Sequence, residues 1–317
     1  MSVNSLFLQG GHWCHCASED SCEGTLASMA APALRAGAGG GASPTPLVAM
    51  DPPVAELAMI DEDALCAAVQ RGEFSFVLEP QYTADHMITG FEAVFQWEHP
   101  QLGALPAAEF MPTVEHLHSH YDLVLQMLDN AVGWLATSGV RGMPGASLSV
   151  ALRAHELGYA DLVDQLRWSC MEHGVHPRRL MLHLPWSTAV TTNAMAVATV
   201  REFAAAGFRI CLDSTPASVP ALGSLGEREL VAIRLDCRRT IVSPGGRCLV
   251  RTARSLAAHA LAYDLDVLAC NVNDEWVVDL LLAAGCRLFQ GRAFGEPMDI
   301  VQAGAWLEQT VRLVRHV

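Results

Sequence analysis

From Asp61 onward, short runs of β-branched and other apolar residues alternate with longer segments whose apolar positions recur at helical spacing. This alternation is typical of repeated βα units, which build a parallel sheet. Eight such runs predict eight strands, a number that suggests closure into a barrel. The predicted strands are residues 74–78, 90–97, 146–152, 180–184, 209–213, 230–235, 266–270 and 287–290.

Amphipathic segments between these runs predict the helices. They cover residues 121–137, 156–173, 194–206, 248–263 and 274–284. Gly174, Gly207 and Gly285 stand just past three of these segments, where a glycine can take the left-handed backbone conformation that ends a helix. A closed parallel barrel carries its functional groups at the C-terminal ends of its strands, so candidate chemistry is sought there.

Residues 1–50 differ in composition from the rest of the chain. The stretch 37–46 consists of Gly, Ala, Ser, Pro and Thr, which offer too little apolar bulk to offset the entropy of ordering. We interpret residues 1–50 as a flexible low-complexity tail and residues 55–317 as the folded domain. The tail contains the potential zinc ligands His12, Cys14, His15, Cys16 and Cys22. Their spacing matches no closed four-ligand pattern, so we interpret them as incidental, or as part of a start upstream of the native one.

Charge and cysteine usage narrow the class of protein. The 317 residues include 34 acidic and 20 basic side chains, a formal net charge of −14, and the basic residues form no stripe, which disfavours nucleic-acid binding. Ten cysteines without paired spacing predict free thiols in a reducing compartment, the cytoplasm. Neither a membrane-spanning apolar run nor a leader is expected.

Several motifs stand in a recognisable order at the predicted strand ends. Residues 90–115 read GFEAVFQWEHPQLGALPAAEFMPTVE, and ICLDSTPASVPAL, AIRLD and LFQGRAFGEPM follow further along the chain. In order and spacing, these landmarks resemble the EAL family of cyclic-di-GMP phosphodiesterases, whose Glu-Ala-Leu motif corresponds here to Glu92-Ala93-Val94. The resemblance implies an α/β fold, the EAL-type (β/α)₈ TIM-like barrel, over the chain outside the tail.

The resemblance also implies a site that holds Mg²⁺ or Mn²⁺ with oxygen ligands at the strand ends and activates water against the phosphodiester. Carried over position by position, Glu92, Asp213 and Gln290 match the family pattern. The other positions depart from it: Ala151 replaces an asparagine, His183 a glutamate, Ser214 the second aspartate, Arg234 the catalytic lysine, and Cys270 and Asn273 two glutamates. We therefore expect no catalytic metal pair and no cofactor.

Four of these positions leave a softer metal site open. Glu92, His183, Asp213 and Cys270 should all face the barrel mouth, and their side chains suit zinc. The alternative, which we favour, is that His183 is a hydrogen-bonded core histidine and Cys270 a small apolar filler. A hydrolase using Cys270 and His183 lacks an activating motif.

Retention of nucleotide contacts is the second question that the resemblance raises. The residues in place of the family's ligand contacts are Glu79 for a glutamine and Gln96 for an arginine, which add a negative charge and remove a guanidinium. Arg153, Arg234 and Gln290 remain as candidates for phosphate or base contacts. Cyclic-di-GMP binding is thus disfavoured.

The combined prediction is a catalytically inactive EAL-domain protein that regulates through a protein partner. The remnants Glu92, Asp213, Arg234 and Gln290 are not expected to be functional in catalysis. The alternatives are a weak or active cyclic-di-GMP phosphodiesterase, or a cyclic-di-GMP receptor without hydrolysis. Neither the partner nor the process follows from the sequence.

Overall fold

The computed structural model describes residues 60–138, 146–214, 230–239 and 247–314, together with residues 8–9 and 12–13. The chain divides into two units, residues 1–50 and residues 51–317. In the first unit, β1 (Leu8–Gln9) pairs antiparallel with β2 (His12–Trp13), a short ladder that the sequence pattern did not predict. The predicted flexibility of the rest of this unit concerns residues outside the described ones.

In the described part of the second unit, nine strands form one sheet, and eight of them close into the predicted barrel. Strand order around it is β3-β11-β10-β9-β8-β7-β6-β4, with β3 also paired to β4, and β5 added outside β4. The strands are β3 (Phe74–Thr83), β4 (Ile88–His99), β5 (Gly103–Pro106), β6 (Ser147–Ala151), β7 (Leu180–Trp186), β8 (Arg209–Ser214), β9 (Leu230–Asp236), β10 (Asp266–Cys270) and β11 (Leu288–Gln290).

Strand β3 runs against its neighbours. It pairs antiparallel with both β4 and β11, whereas β4 and β6 to β11 are parallel to one another. The expectation of a uniformly parallel sheet is therefore wrong for β3. The physical reason is the connection to β4, which spans only residues 84–87 and turns through His86 at φ 57°. A parallel connection needs a crossover of a dozen residues or more, so four residues can form only a hairpin.

Helices cover the outside of the barrel. They are α1 (Glu62–Arg71), α2 (Ala107–Val114), α3 (His120–Thr137), α4 (Leu162–Glu172), α5 (Thr188–Thr191), α6 (Ala194–Ala205), α7 (Arg247–Ala262), α8 (Glu275–Ala284) and α9 (Ile300–Val314). Gly174, Gly207 and Gly285 have φ values of 63°, 88° and 98°, which confirms their predicted left-handed conformation after helices. Within the described residues, no helix is both long and apolar enough to cross a membrane.

The barrel interior has a small apolar floor. Met181, Cys211, Ala232 and Leu268, one from each of β7 to β10, form a buried cluster separate from the main core. Their chain neighbours, such as Leu182, belong to the main core between sheet and helices. Because side chains alternate across a strand, the small cluster faces the inside of the barrel. Residues two positions further along these strands therefore face the interior one layer nearer the C-terminal strand ends.

Candidate functional site

A polar layer lies above the apolar floor, in the position that the strand alternation dictates. Parallel register sets Ala151 beside His183 and Asp213 beside Arg234, while antiparallel register sets Glu79 beside Glu92. The strands thus bring most of the predicted site residues to one level of the barrel. The main exceptions are Gln96 and Arg153, which are described below.

Glu92 is the centre of this layer, and its carboxylate is buried, with 4% of the residue exposed. Oε2 accepts hydrogen bonds from Arg234 Nη2 at 3.2 Å and from Gln290 Nε2 at 2.6 Å. Oε1 lies 3.2 Å from His183 Nδ1. Because an ionised carboxylate only accepts, His183 donates from Nδ1 in this arrangement. Both carboxylate oxygens therefore have a donor from the protein itself.

The electrostatics favour the ionised form of this carboxylate. Burial alone would raise the pKa of Glu92, but the charge of Arg234, together with His183 and the Gln290 hydrogen bond, holds that pKa well below its ordinary value. Burial correspondingly tends to lower the pKa of Arg234, and the nearby Glu92 carboxylate outweighs it and raises that pKa. The pair is an internal salt bridge between a carboxylate and a guanidinium.

Gln290 extends the layer to a second carboxylate. Its Nε2 donates to Glu79 Oε2 at 2.7 Å as well as to Glu92, so one side-chain amide bridges two acidic groups. Its Oε1 accepts from Gln81 Nε2 at 3.0 Å, and Gln81 Oε1 accepts from Ser149 Oγ at 3.3 Å. This network fixes the orientation of the Gln290 amide, which is 1% exposed.

Gln81 and Ser149 are buried site residues that the sequence reasoning missed. Neither belongs to a recognisable motif. A signal existed in the alternation, because Gln81 is two positions from Glu79 and Ser149 is two positions from Ala151. Polar residues at inward-facing positions of a barrel strand need partners inside the barrel.

Two predicted ligand contacts lie apart from this network. The guanidinium of Arg153 donates to Glu115 Oε2 at 3.0 Å, and the backbone N–H of Arg153 donates to Glu156 Oε2 at 2.8 Å. Gln96 Nε2 donates to Glu98 Oε1 on the same strand. Neither side chain contacts Glu92 or Gln290 among the described residues.

Cys270 behaves as a buried thiol. Burial raises its pKa to about 12, and its Sγ contacts the carbonyl oxygen of Leu235 at 3.5 Å. Among the described residues, no group of three or more His, Cys, Asp and Glu side chains is arranged to hold a metal ion. Asp213 is half-buried beside Arg234, and residues 215–229 that follow it lie outside the described part of the chain.

A divalent cation is a poor match for this set of donors. Mg²⁺ and Mn²⁺ need several free oxygen ligands, but both oxygens of Glu92 already accept hydrogen bonds from side chains. Ala151 and His183 stand side by side and supply no oxygen ligand from their side chains. A cation bound at Glu92 would also lie near the guanidinium of Arg234, and like charges repel.

Comparison with known proteins gives a consistent picture. A family model described as EAL domain matches residues 62–297. Among curated proteins from Pseudomonas aeruginosa, the chain is 26% identical to the bifunctional diguanylate cyclase/cyclic di-GMP phosphodiesterase MucR over 238 residues, and 25% identical to the cyclic di-GMP phosphodiesterase RocR over 252 residues. These alignments cover 74% and 77% of this chain but 34% and 62% of the relatives, so the chain spans about a third to three fifths of their length.

Solved structures agree on the fold. The PaMucR phosphodiesterase in complex with c-di-GMP superposes with a TM-score of 0.67 at 24% identity, covering 76% of this chain and 98% of that one. The EAL enzyme Bd1971, in a form with cAMP and cyclic-di-GMP bound, gives a TM-score of 0.67 at 20% identity, covering 78% of this chain and 67% of the other. At these identities the likeness establishes the barrel architecture.

Proposed function

This chain belongs to the EAL domain family, and from that premise we propose that it is a non-hydrolytic member, a regulatory module that acts by binding a protein partner. It would not cleave cyclic-di-GMP and would hold no catalytic metal. Function is argued from the site, because a fold shared with phosphodiesterases does not by itself transfer their activity.

The observation that carries this proposal is the Arg234–Glu92 salt bridge. In metal-assisted phosphodiester hydrolysis, a carboxylate at this level would ligate a cation that activates water. Here the guanidinium of Arg234 supplies the positive charge next to Glu92, in place of a metal cation. A guanidinium keeps its proton at any ordinary pH, and it cannot coordinate water as a Lewis acid.

Charge also disfavours the nucleotide as a ligand. Glu79 and Glu92 stand on neighbouring strands and share the amide of Gln290. A cyclic dinucleotide brings two phosphates, and a phosphate placed at this level of the barrel would be repelled by these carboxylates. Arg153, which could have met a phosphate, is held by Glu115 instead. We therefore propose that regulation proceeds without the nucleotide, and that the partner is a protein.

We further propose that the protein acts in the cytoplasm. All seven cysteines of the described residues, Cys66, Cys170, Cys211, Cys237, Cys248, Cys270 and Cys286, are free thiols, and five of them are buried. Free thiols persist in a reducing compartment.

The direct test is incubation of the purified chain with cyclic-di-GMP and either Mg²⁺ or Mn²⁺, followed by chromatography of the nucleotides. We expect intact cyclic-di-GMP, with the phosphodiesterase RocR as the positive control. Appearance of linear pGpG would contradict the proposal and favour an active phosphodiesterase, provided that the Glu92→Gln variant abolishes it. Cleavage that survives Glu92→Gln comes from a contaminating enzyme.

Calorimetry without metal separates the remaining alternatives. A measurable heat of cyclic-di-GMP binding by the wild type, without cleavage in the first experiment, would identify a receptor without hydrolysis. We expect no such heat.

A further inference from the structure

A groove on the outer surface of the barrel lies between α3 and α4. Its volume is about 260 Å³, and it is open to solvent on one side. Leu125, Leu166 and Trp168 contribute apolar surface to its lining. Polar side chains in the lining include Asp129, Gln165 and Ser169. A space of this size accommodates a few side chains rather than a whole cofactor.

Trp168 is the most unusual feature of this groove. The indole lines the cavity, yet 59% of the residue is exposed to solvent. Tryptophan is among the residues most strongly favoured at binding interfaces, so an exposed tryptophan in a groove points to a partner. Met171, one helical turn further along α4, is 62% exposed. Large exposed apolar side chains that are rimmed by polar residues mark interaction sites.

Asp129 is held in a defined orientation beside this apolar surface. Its Oδ1 accepts hydrogen bonds from Ser169 Oγ at 2.6 Å and from His173 Nε2 at 3.0 Å. His173 packs against the α3 backbone at Gly133, where a Cβ would lie 3.2 Å from its Cε1 atom. Both bonds are made by Oδ1, and no other described residue donates to Oδ2, which is left for a donor from a partner. The side chain is 53% exposed.

The rim of the groove is acidic. Asp122 precedes Leu125 by three residues on α3, and Glu172 follows Trp168 by four on α4, so each falls on the groove side of its helix. Asp161 stands just before α4 and accepts hydrogen bonds from Tyr121 Oη on α3 and from Gln165 Nε2. All three are exposed. The nearby cation Arg167 pairs with Asp164 on its own helix.

These features select the occupant by charge. An acidic rim on a chain of net charge −14 repels nucleic acid, anionic lipid and a second copy of this chain. It attracts a basic segment, and an arginine or lysine can stack on the indole of Trp168 while its head group meets Asp129. A neighbouring apolar side chain would enter between Leu125 and Leu166.

We propose that the α3–α4 groove is the docking site for a basic amphipathic segment of a protein partner, anchored by an arginine or lysine at Trp168 and Asp129. This inference deepens the proposed function and rests on it for the role of the partner. Helix-in-groove recognition has this form, with anchors at three- and four-residue spacing.

A random peptide library displayed on phage tests the site. Immobilised wild-type protein serves as bait, and Trp168→Ala serves as the counter-selection bait. We expect enriched sequences in which arginine or lysine recurs three or four positions from an apolar residue. A consensus that is acidic, or enrichment that is equal on Trp168→Ala, would overturn the proposal.

Fluorescence anisotropy with one enriched peptide then measures the anchors. Trp168→Ala and Asp129→Asn should each weaken binding about tenfold or more, as interface anchors do. Trp276→Ala is the matched control, since Trp276 is 50% exposed on α8 and lies outside the groove. Equal weakening by all three variants would contradict the proposal by indicating diffuse binding to an acidic protein. Thermal melts confirm that the variants, all at exposed positions, remain folded.

The two proposals fail separately. Production of pGpG by the wild type would defeat the non-hydrolytic function and leave the anisotropy result standing. Loss of groove specificity with intact cyclic-di-GMP would defeat only the docking site.

Discussion

Arg234 on β9 and Glu92 on β4 form a salt bridge inside the barrel, with Nη2 3.2 Å from Oε2. Glu92 is buried, and 19% of the Arg234 side chain is exposed. A pair in this setting contributes less by its own attraction than by what its absence would leave behind, namely an uncompensated buried carboxylate.

Removal of the guanidinium should therefore destabilise the fold. We expect Arg234→Met to lower the free energy of unfolding by about 3 to 5 kcal/mol, because Glu92 loses its compensating charge. Urea unfolding followed by circular dichroism measures the change. The pKa of Glu92 would rise at the same time, because the cation that lowers it is gone.

The double variant Arg234→Met with Glu92→Gln is the control. It removes both charges, so most of the lost stability should return. A double variant as unstable as Arg234→Met alone would show that Arg234 stabilises the barrel by packing rather than by charge.

The buried carboxyl of Glu156 should make stability depend on pH. Burial raises the pKa of Glu156 to about 7, from an ordinary value of 4.5. Between pH 4.5 and 7 the unfolded chain releases this proton while the folded chain keeps it. The stability that the protonated Glu156 contributes is therefore complete below pH 4.5 and is lost as the pH rises through 7. Relative to Glu156→Gln, the wild type should lose on the order of 3 kcal/mol of stability across this window.

Urea unfolding at a series of pH values measures this difference. The neighbouring His120, whose Nε2 lies 3.8 Å from Glu156 Oε1, has the opposite effect on the pH dependence of stability. Burial lowers its pKa to about 4, so its contribution is present above 6.5 and is lost as the pH falls through 4. The exposed Glu172→Gln variant is the control for any general charge effect. Parallel pH profiles for wild type and Glu156→Gln would contradict the assignment.

Restoration of oxygen ligands should strengthen the binding of Mn²⁺ at the barrel mouth. The variant carrying Ala151→Asn, His183→Glu and Arg234→Lys supplies two new ligand groups and replaces the fixed guanidinium fork with a flexible amine. We expect it to bind Mn²⁺ about ten- to a hundredfold more tightly than the wild type in calorimetry.

The matched control keeps Arg234 and carries the other two substitutions. It should bind Mn²⁺ weakly, because the guanidinium of Arg234 still forms the salt bridge with the Glu92 carboxylate. Wild-type affinity equal to that of the triple variant would refute the interpretation that Arg234 takes the place of a cation.

Gly291 should not tolerate a side chain. Its φ of 138° is reserved for glycine, and a Cβ there would lie 2.4 Å from both the nitrogen and the oxygen of Val272. We expect Gly291→Ala to destabilise the protein by roughly 3 kcal/mol or more, since the Val272 backbone must move. Thermal unfolding checks this.

Gly304→Ala is the matched control. Gly304 lies inside α9, and a Cβ there would meet nothing within 4 Å. Alanine in a helix interior should stabilise by up to about 1 kcal/mol. A similar loss at both positions would exclude the close approach to Val272 as the cause.

The sequence predicted the strands more closely than their directions. All eight predicted runs fall on observed barrel strands, because apolar runs bounded by turn residues are a local signal. The antiparallel direction of β3 depends on the short connection through His86, and the strand pattern itself is the same for either direction. Strand β5 was missed because its four residues, GALP, carry no alternation.

The site followed a similar division. Glu92, His183, Arg234 and Gln290 were expected at the strand ends, and each of the other three side chains is hydrogen-bonded to Glu92. Their mutual contacts could not be predicted, because register and rotamers are set by the closed sheet. The pairing of Arg153 with Glu115 is a case of this kind, since the two residues are 38 positions apart.

The barrel is closed by residues that are distant in sequence. Gln290 pairs with Gln81 across β11 and β3, and Leu78 exchanges two backbone hydrogen bonds with Met298. The last seam of the cylinder therefore joins the first strand to the last, more than two hundred residues later. A nascent domain emerging from the ribosome can form the β3–β4 hairpin early, yet its polar interior stays open to water until the final strand has been synthesised.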